Sequence, residues 1–149
     1  MKVEEFFTRE VANEGLLMPL KLPNGEPSDE WIRVLGRDSD QFRAAELIAN
    51  RKALNALESF TGDAHAAEEI GVNLQRECIA ALISAWSFEL ELTLDNKLRV
   101  LREAPQIADA INLLAGDRAR FFTNKVVDIS SQSKPAQNSL KSKRTAKKA

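Results

Sequence analysis

One cysteine and one histidine in 149 residues exclude more functions than any motif here supplies. A lone cysteine cannot close an intramolecular disulfide, so no covalent staple is expected and a reducing compartment fits. A zinc site cannot be drawn from Cys78 and His65 without borrowing carboxylates at arbitrary spacing. Ser-His-Asp chemistry would have to use His65, which the sequence places at the exposed start of a helix among alanines. Cys78 falls at a helical core spacing, where an inert thiol is expected rather than a nucleophile. The six glycines are scattered singly and form neither a phosphate loop nor a dinucleotide fingerprint. Glu68-Glu69 and Glu89/Glu91 are carboxylate pairs without partners and read as solvated faces. No apolar run approaches the roughly 18 residues of a membrane span. The opening MKVEEFFTREVANEG has glutamates where a signal peptide has basic residues. The expectation is a soluble, cytoplasmic protein that is not an enzyme and uses no cofactor or metal.

What is present is an ordinary globular composition, 44% hydrophobic and 29% charged, in a chain long enough for one domain. The net charge of −1 hides an asymmetry. Residues 133–149 hold six of the 21 basic residues and no acid, which leaves 15 positive against 22 negative charges, or −7, on the rest. The chain is an acidic body with a basic tail. From about Ser130 the composition turns to Ser, Gln, Lys, Asn and Ala, and disorder is expected. The domain is therefore drawn as 1–129 and the tail as 130–149.

Along the body, Glu4 to Asn13 reads as a short helix with Phe6, Phe7 and Val11 toward one side, stopped by Gly15. Leu16 to Leu22 and Trp31 to Leu35 flank a loop, Pro23 to Asp29, that holds an Asn-Gly step, and predict a small β-hairpin, with Pro19 confining its strand to an edge. Asp38 is expected to cap a helix to Phe60 whose buried stripe includes Leu47, Ile48, Leu54 and Leu57. Asp63 is expected to cap a third helix reaching about Trp86, with Ala67, Ile70, Leu74, Cys78, Leu82 and Trp86 on its core face. Thr93 caps a short helix, and Pro105 opens a last one whose apolar side is Ile107, Ile111, Leu114 and Phe121. The fold class is mainly α: one helical domain with a small N-terminal hairpin.

The connector after the third helix is too apolar for an ordinary exposed loop, because Trp86, Phe88, Leu90 and Leu92 alternate along it. Two readings stand: these residues seal the core between helices, or part of the strip is a patch for another chain. Phe121 and Phe122 are adjacent helical positions and cannot both point inward, so one is expected to be exposed. The candidate partner-binding residues are Trp86, Phe88, Leu90, Leu92, Arg120, Phe121 and Phe122.

The order of Trp86, Phe88, Thr93, Asn96, Leu101, Pro105, Ile107, Ile111, Arg120 and Phe121 resembles the tail assembly chaperones of long-tailed, siphovirus-like bacteriophages. In that family a pattern of the form W-x-F, T-x-x-N, L-L, P-x-I, I and an arginine shortly before a phenylalanine recurs. Leu22-Pro23-Asn24-Gly25, followed by Ile32 to Ser39, is similar to the opening of the same proteins. The resemblance implies a non-catalytic assembly factor of the host cytoplasm that is absent from the mature virion. Such a factor binds the tape measure protein, keeps it soluble and brings tail tube protein to polymerise around it. Self-association and a longer, frameshifted form are further properties it implies. The alternatives are a structural virion protein, such as a tail tube or connector subunit, and a small nucleic-acid-binding protein using its basic tail. The acidic body and the lack of a recognition helix rich in Arg, Asn and Gln count against the last. No membrane partner is expected.

Overall fold

The computed structural model describes residues 1–59, 62 and 64–123. The expected disordered tail lies outside the described residues, as do Phe60 and the capping role assigned to Asp63. In chain order, a 3-10 turn (Val3–Phe6) precedes α1 (Arg9–Glu14), β1 (Leu16–Lys21), β2 (Pro27–Val34), α2 (Asp40–Ser59) and α3 (Ala64–Ala80). There follow β3 (Ile83–Trp86), α4 (Leu94–Glu103) and α5 (Pro105–Ala115), and residues 118–123 are helical again. The protein is mostly helical, with one small antiparallel sheet. None of the described helices is long and apolar enough to cross a membrane.

The hairpin forms from the expected apolar runs around the Asn-Gly step, but β2 begins at Pro27 rather than Trp31, so Pro27 to Asp29, expected in the loop, are strand. Leu16 lies opposite Val34 and Pro19 opposite Trp31. The turn is closed by the Leu22 N–H donating to the Glu26 carbonyl at 2.7 Å, while Asn24 Oδ1 accepts from the Glu26 N–H at 3.0 Å. β1 is an edge strand, the position that tolerates Pro19. Along β2 the pleat turns Ile32 and Val34 inward, both fully buried, and leaves Arg33 partly in solvent.

β3 was not expected. The third helix stops at Ala80 rather than near Trp86, and Ile83–Trp86 pairs antiparallel with β2, with Ile32 opposite Trp86. Cys78, Leu82 and Trp86 have helical spacing, so local periodicity favours a longer helix. The competing interaction is the free edge of β2, some fifty residues away, which supplies backbone partners and buries Ile83. The hairpin is thereby a three-stranded sheet, ordered β1-β2-β3. Against it pack Leu82, Leu101 of α4, Ile111 and Leu114 of α5, and Phe121, which make one core with Ile32 and Val34.

The loop after β2 ties this core together. Backbone N–H groups of Leu35, Gly36 and Arg37 donate to the carbonyls of Leu82, Ala12 and Ala115 at 2.8, 3.0 and 3.1 Å, so three successive residues reach the turn before β3, α1 and the end of α5. Gly36 is needed there, because a Cβ would lie 2.8 Å from the Cβ of Ala12. Ser39, wholly buried, accepts from the Phe42 N–H at 3.3 Å and caps α2, the role expected of Asp38.

The largest correction concerns α2. Its expected buried stripe faces water: Leu47, Leu54 and Leu57 are 67%, 63% and 74% exposed, and Ile48 is exposed too. The buried side is instead Phe42 and Ala49, with Ala45 and Ala56 partly covered. Residues two apart on a helix point to opposite sides, so burying Ala49 and Ala56 necessarily turns Leu47 and Leu54 outward. The alanine face meets α3, where the Cys78 thiol approaches the Ala45 carbonyl at 3.9 Å and Lys52 pairs with Glu77 at 3.0 Å. On α3 the expected core face is only partly covered: Ala67 and Ile70 are exposed, Leu74 and Cys78 half-buried, and Ile79 and Ala80 fully packed. Leu54→Gln is therefore expected to change folding stability by no more than about 0.5 kcal/mol, as other exposed substitutions do. Urea denaturation checks this; a loss above about 2 kcal/mol would place Leu54 in a core.

The Thr93 and Pro105 assignments hold. Thr93 Oγ1 accepts from the Asn96 N–H at 3.2 Å, and Pro105 opens α5. The last helix is interrupted, however: α5 ends at Ala115, and Gly116 and Asp117 separate it from the 118–123 turns that carry Phe121.

Candidate partner-binding surfaces

The seven residues singled out from the sequence fall into two separate places. Trp86 belongs to β3, at one edge of the sheet, whereas Arg120 lines a cleft beside β1, at the other. Trp86 and Phe88 meet edge to face with ring centroids 5.4 Å apart, and the Trp86 indole N–H donates to the Leu90 carbonyl at 2.7 Å. Both rings are half-buried and pack on the core. Ser87 extends the strand pairing, its N–H donating to the Trp31 carbonyl at 3.1 Å and its hydroxyl accepting from the Trp31 N–H at 2.8 Å. The aromatic pair thus packs on the core from the β3 edge of the sheet and keeps part of each ring in solvent. Leu90 is half-buried and Leu92 exposed.

The phenylalanine pair divides as the helical geometry requires. Phe121 is 3% exposed and Phe122 46%. Phe121 is thus a core residue rather than a contact surface, and Phe122 alone of the two can meet a partner. Phe6 and Phe7, expected to face one side with Val11, are exposed, while Val11 packs on the core.

Arg120 is exposed at a cleft of about 640 Å³ between β1 and α5. Leu17, Met18 and Pro19 form one wall; Ala110, Leu113 and Leu114 form the other. Leu113 is 79% exposed beside the buried Leu114. Sequence reasoning named neither Leu113 nor the β1 wall. Leu113 and Leu114 divide as Phe121 and Phe122 do, since consecutive helical leucines cannot both face the core.

Behind Phe121 and Phe122 lies a polar staple. Arg118 pairs bidentately with Asp38, Nε to Oδ2 at 2.6 Å and Nη2 to Oδ1 at 2.9 Å, and Arg43 reaches Oδ1 at 3.1 Å. Those Arg118 hydrogen bonds, helped by Thr8 and Arg43 and opposed by partial burial, hold the Asp38 carboxyl well below the usual carboxylate range. A neighbouring cluster joins Arg9 to Asp40 at 2.7 Å, with Asn13 bonded to the same carboxylate at 3.2 Å. Because its folded pKa is depressed, Asp38 contributes stability fully above the ordinary carboxylate value of about 4 and loses it as pH falls below that. Asp38→Asn is expected to lower the melting temperature at pH 7 and to lose that deficit progressively below about pH 4. An equal deficit at pH 7 and pH 2 would show that the charge is not what matters.

Cys78 is half-buried, and burial, with Glu46 and Glu77 nearby, pushes its thiol up, away from the thiolate form a nucleophile needs. His65 is exposed at the start of α3. Among the described residues no group of three or more His, Cys, Asp or Glu side chains is placed to hold a metal ion. Comparison with family models, with curated proteins and with solved structures returns no match.

Proposed function

We propose that the chain is a tail assembly chaperone of a long-tailed bacteriophage. It binds the tape measure protein, keeps it soluble and extended, and promotes tail tube protein assembly around it, without catalysing a reaction or using a cofactor. It acts in the host cytoplasm and leaves before the virion is complete.

The observation that carries this reading is the amount of large apolar side chain left in solvent on a helical body. Leu47, Leu54 and Leu57 on α2, Leu113 beside the cleft, and Phe6, Phe7 and Phe122 are all exposed. Scattered single exposures are ordinary, but a stripe and a cleft together are what a protein needs to cover apolar stripes on another chain. The ordered resemblance of residues 22–39 and 86–121 supplies the identity of that chain. The buried His-poor core and the raised Cys78 thiol fit a binding role better than covalent catalysis.

Immunoprecipitation of the chain from infected cells before lysis tests the reading. Tape measure protein is expected to come down with it, and mass spectrometry of purified virions is expected to lack it. Stoichiometric presence in virions would make it a structural tail component instead.

A further inference from the structure

We infer that the segment Lys125-Val126-Val127-Asp128-Ile129 seats in the cleft between β1 and α5, as a short fourth strand on the free edge of β1. The inference does not rest on the chaperone reading. A client that uses the cleft has to displace this segment, whereas the exposed α2 leucines stay open to it.

The cleft follows a strand edge rather than a strand face. Leu16, Leu17, Met18 and Pro19 all line it, and successive side chains of a strand point to opposite faces, so four in a row meet only along the edge. The backbone at that edge is turned outward. Trp31 directs both of its main-chain groups at Ser87, its N–H donating to the hydroxyl at 2.8 Å and its carbonyl accepting from the N–H at 3.1 Å. In an antiparallel ladder the two groups of one residue point the same way, so Trp31 and its partner Pro19 are a pair without mutual hydrogen bonds. The Pro19 carbonyl, and the N–H and carbonyl of Leu17 two residues back, therefore point away from β2. Pro19 has no N–H to leave unpaired there. The edge offers a donor and two acceptors over about 13 Å, the span of a short strand.

Position, composition and charge name the occupant. The described chain stops at Thr123, three residues after Arg120, which itself lines the cleft. Lys125 to Ile129 follows at once, and it is the only apolar run in residues 124–149, with Leu140 the single large apolar side chain after it. Three of its five residues are β-branched and none is Gly or Pro, which is the composition of a strand. Its charges match those of the cleft: Arg120 and Asp117 line the cleft, and the segment brings Asp128 and Lys125. Attachment through a few residues keeps the segment at high local concentration, so a contact too small to hold a separate chain holds this one. Pairing within the chain also removes a free edge that invites pairing between chains.

Disulfide trapping in the full chain tests this. In a Cys78→Ala background, Leu17→Cys is combined in turn with Lys125→Cys, Val126→Cys, Val127→Cys, Asp128→Cys and Ile129→Cys and, as a distant control, with Ser139→Cys. Intrachain disulfides are expected at alternate positions of the segment, with yields at least about fivefold lower between them and at Ser139, because a strand turns every second side chain to the same face. Amide hydrogen exchange tests the same seat without cysteines. The Leu17 N–H is expected to exchange at least about tenfold faster in the triple variant Val126→Asp, Val127→Asp, Ile129→Asp than in the wild type, with the core amides of Ile32 and Ile111 unchanged. Should those core amides open as well, the disulfide pattern decides. Equal yields at all six positions, or no intrachain disulfide at any, overturn the inference, and so does a Leu17 amide that the triple variant leaves unchanged. Disulfide-linked dimers at the same positions put the segment of a second copy in the cleft and overturn the intrachain seat.

Discussion

Replacing Ile111 by alanine is expected to remove about 3 to 4 kcal/mol of folding stability. Ile111 sits mid-α5, fully buried, in the same core as Ile32, Val34, Leu82 and Leu101. Truncation deletes buried methyl and methylene groups and leaves a cavity in a core where sheet and helices already meet. The loss is a large fraction of the about 5 to 15 kcal/mol that a domain of this kind has in total. Leu113→Ala, two residues along the same helix and in solvent, is the control and is expected to stay within about 0.5 kcal/mol. Urea denaturation should show the Ile111 variant with a lower midpoint and an unchanged slope. A loss below about 1 kcal/mol would mean that α5 does not cover the sheet.

The second large effect is expected at Gly15, between α1 and β1. Its φ is +81°, a conformation L side chains rarely adopt, and a Cβ there would lie 2.8 Å from the Val34 carbonyl oxygen, which the paired β2 strand cannot easily move. Gly15→Ala combines about 1 to 3 kcal/mol of backbone strain with a similar packing penalty, for a loss of roughly 2 to 5 kcal/mol. Gly25 separates the two contributions: its φ is +92°, but a Cβ there meets nothing within 4 Å. Gly25→Ala should therefore show the strain without the clash, and lose clearly less than Gly15→Ala. Equal losses at both sites would mean the Val34 contact is relieved by relaxation.

Local signals read correctly where the deciding partner is close in sequence. The Asn24-Gly25 turn, the Thr93 cap on Asn96 and Pro105 at the start of α5 are each settled within a few residues. The failures share the opposite cause. Ser39 and Asp38 are adjacent and both can cap; Ser39 does so because Asp38 is held by Arg118, eighty residues away. Ile83–Trp86 is a strand because β2 offers an edge. α2 carries two stripes, one of leucine and one of alanine, and a hydrophobicity rule chooses the leucines. The fold buries the alanines, whose small side chains let α3 pack close beside them.

The same distinction applies to the candidate site. Trp86, Phe88 and Phe121 were singled out because large apolar residues recur in an ordered pattern, and they turn out to pack in or on the core. Gly36, Asp38 and Ser39 likewise hold the hub together: close approach to Ala12, the Arg118 pair and the α2 cap. The pattern residues thus speak mainly to architecture. Leu92, Arg120 and Phe122 of the same set are exposed, and further exposed leucines, which the sequence presents as ordinary core, lie on α2 and at Leu113 beside Arg120.

Co-expression with tape measure protein is the most direct measurement of the central claim. Expressed alone, the long helical client is expected to collect in the insoluble fraction. With this chain present, its soluble yield should rise severalfold and the two should co-purify. Tape measure protein that stays insoluble and never co-purifies, with the chain itself folded and abundant, would contradict the account.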